Sequence, residues 1–509
     1  MSSDNNKRIA KNTIILYIRM LVVMFVTLFT SRIVLKALGV EDFGIYNVVA
    51  GVVTMMAVVN NAMAVSTQRY LTFELGKDDM LRFKQVFSTC MTIYLALALL
   101  LLILAETIGL WFVNTQLVIA PDRIFAANVV YQFAILSSIC SMIQIPYNAA
   151  IISHEKMDAF AYIGIVEAVM RLLIAYAIFI SPIDKLSLYG GLIFLSSFAI
   201  FMTYRIYCVR KFQETHYRFM WDKALTMQLI SYSGWNLFGA LSGVAKGQGL
   251  NILINIYFGA AVNAAHGIAN QLNHAITMLF SNFFTAVRPQ ITKYYAQNNF
   301  REMFNLVYRS SKMSFFLIMV CSLPLIIEAP TIIQLWLGQT PEYVVSFVRI
   351  IVIISAIDAM STPLMTAIHA TGDIKLYQIV VGITMILTLP ISWIFLKAGF
   401  NADSVFYVSL VLSTISLFIR LGIANKKTGI PYWGFIKQVF IPSVVVAFTS
   451  AAIPLTMHLY LENRILNTVI ICIISILSVV IASFCIGMNK REKEAISKIV
   501  YKRLNKTNN

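Results

Sequence analysis

Apolar residues recur along the chain in blocks of about twenty, and short polar segments separate the blocks. An α-helix needs about that length to cross a hydrocarbon core of roughly 30 Å. The pattern therefore predicts an all-α polytopic membrane protein with about fourteen transmembrane helices. The predicted spans cover residues 12–36, 43–66, 86–108, 124–150, 160–181, 187–208, 230–257, 260–287, 311–330, 343–369, 376–397, 402–424, 437–459 and 464–488.

An internal repeat organises these spans. Shifting spans 1–6 along the chain lays them over spans 7–12, so that Gly39 meets Gly259 and the segment 106–112 resembles 328–337. Because the offset contains an even number of spans, the halves keep one orientation, and we expect an axis along the membrane normal to relate them around a central cleft. The predicted organisation is two six-helix bundles, an added helix pair and a basic tail, at residues 1–208, 230–424, 437–488 and 489–509.

Composition and charge narrow the class of protein further. Hydrophobic residues make up 59% of the 509 residues and charged residues 12%, about half the usual share in soluble proteins, so a soluble multidomain chain is excluded. The net charge of +17 would suit nucleic acid, but most basic residues lie between the spans. Segments on the side of the termini hold 28 Lys and Arg against 5 on the other side. This asymmetry predicts cytoplasmic termini, with the tail either a solvated anchor or an amphipathic helix on anionic lipid.

The sequence carries no recognisable catalytic motif. It contains no HExxH, P-loop or GxSxG pattern, and its six cysteines are scattered without the spacing of a metal site or a disulfide framework. We therefore expect a protein that is not an enzyme and that holds no metal or bound cofactor. Transport would be coupled, if at all, to a gradient of H⁺ or Na⁺.

Charged residues inside the spans need a reason, because each costs ~2.5–3.5 kcal/mol at a helix centre by some scales. Lys246 lies in the middle of span 7 among glycines, with no acid on its helix. A water-filled cavity or an anionic ligand is favoured over a paired or lipid-facing lysine. Arg19, deep in span 1, is also expected to face a cavity. Arg32 and Arg349, near the ends of their spans, are expected to extend towards the interface.

Polar residues follow one another at seven-residue spacing in span 2 and in its repeat-mate, span 8. The members are Asn47, Thr54, Asn61 and Gln68 in span 2, and His274, Ser281 and Arg288 in span 8. Hydrogen bonding between helices is one interpretation. Because the stripes run the full height of both spans, a lumen lining that binds substrate is favoured.

Two further constellations lie on single helices. Asp358 and His369 in span 10 are eleven residues apart, about 20° around the helix. They could bind a coupling proton or cation, or they could form a satisfied polar face. Asp358 is interpreted as the one unpaired acid among the cavity candidates. Glu167 and Arg171, four residues apart in span 5, are expected to neutralise each other.

The arrangement resembles a known family. Two six-helix halves, two extra helices and a basic cavity resemble the lipid-linked oligosaccharide flippases, the polysaccharide-transporter (Wzx-type) branch of the MOP (MATE-like) superfamily. The segments that carry the resemblance are "SRIVLKALGVEDFGIYNVVAG" (31–51), "QRYLTFELGKDD" (68–79) and "LINIYFGAAVNAAHGIANQL" (253–272).

The resemblance implies transport, without bond-making. The implied substrate is an undecaprenyl-diphosphate-linked oligosaccharide repeat unit, moved across the bacterial cytoplasmic (inner) membrane for O-antigen and lipopolysaccharide, capsule or exopolysaccharide assembly. Implied partners are the bilayer, the polysaccharide polymerase and other assembly proteins, with no nucleic acid. The alternative is a MATE-type cation-coupled multidrug antiporter, which favours acidic groups in its cavity. A membrane-embedded polymerase or glycosyltransferase would be expected to carry a large extramembrane loop, whereas the segments between the predicted spans are all short.

Overall fold

The computed structural model describes residues 3–54, 57–115, 119–338, 340–461, 465–489 and 492–494, and every regular element in these ranges is helical. The tail beyond Glu494 and the segments between the ranges lie outside this description. The helices are α1 (Ser3–Thr54), α2 (Ala57–Gly76), α3 (Met80–Leu104), α4 (Leu110–Thr115), α5 (Ile124–Ser153), α6 (Met157–Ile180), α7 (Lys185–Lys211), α8 (Lys223–Ala296), α9 (Phe300–Leu337), α10 (Val344–Ala370), α11 (Lys375–Lys397), α12 (Ser404–Thr428), α13 (Tyr432–Phe435), α14 (Ile441–Tyr460) and α15 (Ile465–Ala482).

The predicted fold class is confirmed: the protein is an all-α polytopic membrane protein. Within the described part of the chain, eleven helical segments are long and apolar enough to cross a membrane. The predicted spans 43–66, 230–257 and 260–287 are not among the eleven, although α1, α2 and α8 cover their described residues as helix. Spans 230–257 and 260–287 carry Lys246 and one of the polar stripes, and their polar content lowers their mean hydropathy, whereas span 43–66 runs across residues 55–56, which lie outside the described ranges. A span that is less apolar than its neighbours suits a position against water or protein more than one against lipid.

The repeat predicted from the sequence is visible in the backbone. Gly39 interrupts α1 with φ 80° and ψ 172°, and Gly259 interrupts α8 with φ 78° and ψ −174°. This region of φ/ψ space is essentially restricted to glycine. Two glycines at equivalent positions of the repeat therefore break their helices in the same way.

A second pair of equivalent positions, in the turns before α3 and α9, also shares an unusual backbone conformation. Asp78 and Asn298 both have positive φ, at 60° and 55°. Asp79 follows as N-cap of α3 and accepts from the Arg82 amide, and Asn299 follows as N-cap of α9 and accepts from the Glu302 amide. Asp and Asn tolerate the left-handed conformation and cap helices well. Asp78 and Asn298 are separated by the same number of residues as Gly39 and Gly259. The repeat therefore extends to the capped turns, which confirms it.

The matched segments 106–112 and 328–337 both begin at a distortion of the helix. Glu106 lies in a π-turn, Ala105–Gly109, and Glu328 has the non-helical angles φ −101° and ψ 20°. Two prolines, Pro324 and Pro330, contribute to the break in α9, because each lacks the N–H that would bond four residues back.

Arg349 compensates for one of these missing bonds, which corrects the expectation that it extends to the interface. Without an N–H on Pro330, the Ile326 carbonyl loses its helical donor. Arg349 Nε on α10 donates to this carbonyl at 2.7 Å. An unsatisfied backbone group in the bilayer costs several kcal/mol, so a polar side chain at this position stabilises the kink.

The chain divides into two compact units, residues 10–237 and residues 238–509 together with 1–9. In the first unit, Val130, Tyr131 and Ile135 of α5 belong to a buried apolar cluster. In the second unit, a larger buried cluster runs from α8 through α9 and α10 to α15, so α14 and α15 pack with α9. The division falls inside α8, at Leu237, and the predicted bundle limits at 208 and 230 remain predictions.

Candidate functional site

A cavity of about 630 Å³ lies in the second unit, between α8 and α10. The lining from α8 includes His274 and Ser281 of the predicted polar stripe, and the lining from α10 includes Asp358 and Thr362. The structure thus brings together a predicted lumen residue, His274, and a predicted ion-coupling residue, Asp358. The remaining lining residues are Thr277, Met278, Phe280, Ser355 and Ala359.

Asp358 is compensated, which corrects its interpretation as an unpaired acid. Its Oδ1 accepts from the Ser413 hydroxyl at 2.7 Å and lies 3.6 Å from Arg420 Nη1. The Asp358 side chain is 45% exposed and the Arg420 side chain 7% exposed. The carboxylate therefore borders the cavity, with the guanidinium buried behind it.

Arg420 was not among the residues predicted from the sequence. It lies inside the predicted span 402–424, where the same cost argument that singles out Lys246 applies. Besides Asp358, Arg420 forms hydrogen bonds with the Ser361 hydroxyl and with Tyr377. An intramembrane arginine four residues before a predicted span end was the available signal. This signal is easily overlooked, because a charge near the end of a span usually lies at the membrane interface.

Lys246 has an acidic group in its surroundings but forms no ion pair among the described residues, so its role as an unpaired ammonium stays a prediction. Its side chain is half-buried, and it interacts electrostatically with Asp358 and Arg420. Two basic residues and one acid thus share this part of the second unit, and the cluster of Lys246, Asp358 and Arg420 has a formal net charge of +1.

The glycines around Lys246 divide into two groups. A Cβ at Gly239 would meet Gln378 and one at Gly249 would meet Leu389, both on α11, so these glycines allow close packing of α8 on α11. A Cβ at Gly243 or Gly247 would find nothing within 4 Å. Close packing therefore explains the first group, and the second group lies beside open space, with Gly243 about 60° and Gly247 about 100° around the helix from Lys246.

His369 is connected to this cluster through a neighbouring ring. It is buried, and its ring meets Tyr377 edge-on with centroids 5.6 Å apart. Tyr377 in turn bonds Arg420. The two predicted coupling residues, Asp358 and His369, are therefore connected through Arg420 and Tyr377, although the last link is a ring contact and His369 lies outside the set that lines the cavity.

Predicted residues in the first unit lie in different surroundings. The Arg19 guanidinium stacks 4.3 Å from the Phe160 ring centre, and a Cβ at Gly164 would lie 2.3 Å from its Nε. Arg19 therefore packs between α1 and α6 at a glycine that makes room for it. The pairing of Glu167 with Arg171 is confirmed at 2.9 Å.

The remaining stripe residues are placed as follows. Asn61 is exposed on α2, and Arg288 is half-buried near the C-terminal end of α8, with its guanidinium 5.6 Å from the Phe284 ring centre. Asn47 lies in α1, but its side chain is outside the described residues. The lumen role of Asn47, Asn61 and Arg288 stays a prediction.

Comparison with known proteins shows which fold this architecture resembles. The MatE family model matches residues 247–394, which include Lys246's neighbour Gly247, the cavity-lining residues and Tyr377. Most of the chain resembles solved transporters of the MOP superfamily. Residues 247–394 therefore resemble the MatE family, and the chain has the fold of MATE transporters. No curated protein matched the chain in sequence.

Three solved structures illustrate the likeness, each covering 84% of this chain and 96% of its own at 12% identity. One is an outward-facing multidrug resistance MATE family transporter, with a TM-score of 0.71. Another is a MATE in the bent conformation, with a TM-score of 0.73. The third is a MOP superfamily transporter from Pyrococcus furiosus Vc1 (DSM3638), with a TM-score of 0.66, described as having a binding pocket of reverse polarity that suggests a different function. At this identity the likeness shows the fold.

Proposed function

We propose that this chain is a flippase that moves undecaprenyl-diphosphate-linked oligosaccharide repeat units across the bacterial cytoplasmic membrane. The observation that carries the proposal is the excess of cationic charge in the polar network of the second unit. Lys246 and Arg420 outnumber Asp358, and a diphosphate is the part of such a substrate that binds cations most strongly. The polar cavity wall, with His274, Ser281 and Thr362, supplies hydrogen-bonding groups of the kind that a glycan requires.

The proposed mechanism assigns each part of the substrate to a different environment. The glycan and diphosphate cannot cross hydrocarbon unaided, since polar groups without partners are costly there. The cationic network would hold the diphosphate while the prenyl chain stays in lipid. Rocking of the two repeat halves would then expose the site to one side and later to the other. A gradient of H⁺ or Na⁺ acting at Asp358 and His369 is the proposed driving force.

The second candidate function is a multidrug antiporter with a cationic substrate. It is favoured by the Asp358 carboxylate, which borders the cavity and is nearly half exposed. Two of the structures with the same fold are MATE proteins, and one of them is named for multidrug resistance. The reverse pocket polarity described for the Pyrococcus protein supports the use of pocket charge to separate functions within this fold.

Reconstitution distinguishes the two functions. The purified full-length chain is placed in vesicles with a polyprenyl-diphosphate oligosaccharide, and the glycan that reaches the outer leaflet is scored by its accessibility to an added glycosidase. A fluorescent lipophilic cation is tested in parallel under imposed H⁺ and Na⁺ gradients. Glycan translocation that is lost in Lys246→Glu supports the flippase. Gradient-driven cation transport that is lost in Asp358→Asn, without glycan movement, would establish the antiporter instead.

A further inference from the structure

The cavity between α8 and α10 has a continuous polar wall, because its lining residues recur at helical spacing. His274, Thr277 and Ser281 lie on one face of α8, and Asp358 and Thr362 lie four residues apart on α10. The cavity volume of about 630 Å³ falls within the range of about 300–1,000 Å³ that is usual for small-molecule sites. The cavity can therefore hold a compact polar group, and the hydrogen-bonding capacity of its wall decides which one.

Three hydroxyls of this wall already donate their hydrogen to the protein. Thr277 Oγ1 donates to the Asn273 carbonyl at 2.9 Å, and Thr362 Oγ1 donates to the Asp358 carbonyl at 2.9 Å. Ser355 Oγ donates to Asn273 Oδ1 at 2.6 Å. Because a hydroxyl has one hydrogen and two lone pairs, these three groups can only accept from a ligand.

The Asp358 carboxylate adds a further acceptor. Its Oδ1 faces Ser413 and Arg420, whereas no hydrogen bond reaches its Oδ2 within the part of the chain that the structure describes. His274 and Ser281 can donate as well as accept, and the described lining residues include no Lys or Arg. The wall is therefore rich in acceptors, and it suits a ligand that is rich in donors.

Charge separates the ligands that could meet this wall. Arg420, 3.6 Å from Asp358, compensates the carboxylate, and Lys246 also interacts with it electrostatically. A cationic ligand would therefore meet a cluster with a formal net charge of +1 instead of an isolated carboxylate. A phosphate or a ligand carboxylate would meet lone pairs and the like charge of Asp358. A neutral compound with many hydroxyls supplies donors without either repulsion.

An aromatic ring forms the apolar part of the cavity. Phe280 lines the cavity, and its ring stacks on that of Phe284, with centroids 5.6 Å apart and an interplanar angle of 23°. Phe284 is buried, so it supports the Phe280 ring from behind. The face of an aromatic ring is the negative part of its quadrupole, and it attracts the weakly positive C–H groups on the face of a pyranose ring. A sugar ring thus matches both the aromatic and the acceptor-rich parts of the cavity.

We propose that this cavity is a subsite for a neutral, hydroxyl-rich sugar ring, which stacks on Phe280 and donates hydrogen bonds to Asp358 and to the threonine hydroxyls. The inference rests on the proposed flippase function, because it assigns one ring of the transported glycan to a place in the protein. The diphosphate, which has no donors, stays outside this wall. The subsite selects neutral sugars against uronic acids, since Asp358 repels their carboxylate.

Two lipid-linked glycans test this selectivity. Both are polyprenyl-diphosphate trisaccharides with the same terminal galactose, and the middle ring is glucose in one and glucuronic acid in the other. The full-length protein in vesicles moves them to the outer leaflet, where an added galactosidase releases the terminal ring. The native protein should move the neutral glycan about tenfold faster, a preference of ~1.4 kcal/mol. Asp358→Asn keeps an acceptor but removes the negative charge, so it should remove most of this preference.

Phe280→Leu tests the stacking contact, and Phe283→Leu makes the same change on the same helix outside the set that lines the cavity. The measurement is equilibrium dialysis of the detergent-solubilised full-length protein against the free neutral trisaccharide. Binding should weaken in Phe280→Leu and match the native protein in Phe283→Leu. This measurement also provides a second route should Asp358→Asn fold poorly.

The outcomes separate the sugar subsite from the proposed function. Equal rates for the two glycans in the native protein, or equal trisaccharide binding by the native protein and Phe280→Leu, would overturn the subsite while the chain remains a flippase. If neither glycan moves, the flippase proposal fails and dialysis alone decides. Trisaccharide binding that Phe280→Leu weakens would then support a sugar site, and retention of a lipophilic cation without the trisaccharide would overturn it.

Discussion

Lys246 separates the two candidate functions at the scale of single residues. Lys246→Glu would change the net charge of its cluster from positive to negative and should abolish glycan translocation, whereas Lys246→Arg keeps the sign and should retain partial function. Lys246→Met tests packing, since it keeps the length without the charge. The measurement is surface glycan in a strain that lacks the native gene, complemented with each variant at matched protein levels. Full glycan with Lys246→Glu would remove Lys246 from the substrate path.

Removing Asp358 should destabilise the folded protein more than removing its partner Arg420. Asp358→Leu leaves the buried guanidinium of Arg420 without its carboxylate. Breaking a buried ion pair in this way lowers the free energy of unfolding by about 3–5 kcal/mol. Arg420→Leu leaves a carboxylate that is nearly half exposed and still near Lys246, so it should cost less. Unfolding temperatures of the two variants in detergent check this order. Equal losses would mean that the pair contributes through packing alone.

Part of this site could be predicted from the sequence. The cost of intramembrane charge pointed to Lys246 and Asp358, and stripe spacing pointed to His274. The pairing of Asp358 with Arg420 could not be predicted, because their contact joins two different helices and no periodicity along one helix reports it.

The repeated kinks are the main feature at the scale of elements. The boundaries of α5 to α7 and of α10 to α12 were predicted to within four residues, since apolar length and polar loops follow from the bilayer thickness, whereas α9 begins eleven residues before its predicted start at 311. The breaks between spans 1 and 2 and between spans 7 and 8 were predicted in position, because Gly39 and Gly259 interrupt α1 and α8 inside the gaps that the hydropathy pattern leaves. A single glycine in an unusual conformation replaces a loop at both positions, and only the match of Gly39 with Gly259 signalled it.

Alanine substitutions should show that these kinks depend on glycine. At Gly39 and Gly259 a Cβ would meet nothing within 4 Å, so the cost arises from backbone conformation alone, about 1–3 kcal/mol. Each variant should unfold at a lower temperature than the native protein.

Gly44 and Gly267 are matched controls for this prediction. They lie within α1 and α8 at ordinary helical angles and also face open space. Alanine there should stabilise the helix by about 0.5–1 kcal/mol. The opposite signs at kink and helix positions are the expected result, and a gain of stability in Gly259→Ala would show that the interruption is not required.

Orientation in the membrane is the prediction at the scale of the whole molecule. The 28-to-5 asymmetry of basic residues predicts that both termini lie in the cytoplasm. A reporter active only in the periplasm, fused after Asn509, should be silent, and the same reporter in the 398–403 loop should be active. The reverse pattern would invert every span and place the basic tail outside.

The two halves share a scaffold but differ in their chemistry. At the offset that pairs Gly39 with Gly259, Lys246 falls on Val26 and Asp358 on Ser138. The turns and kinks were therefore duplicated together with the helices, while these two charges belong to the second copy alone. In evolutionary terms, two copies of one backbone with different charges form the pattern that a gene duplication leaves when its copies diverge in electrostatics more than in shape.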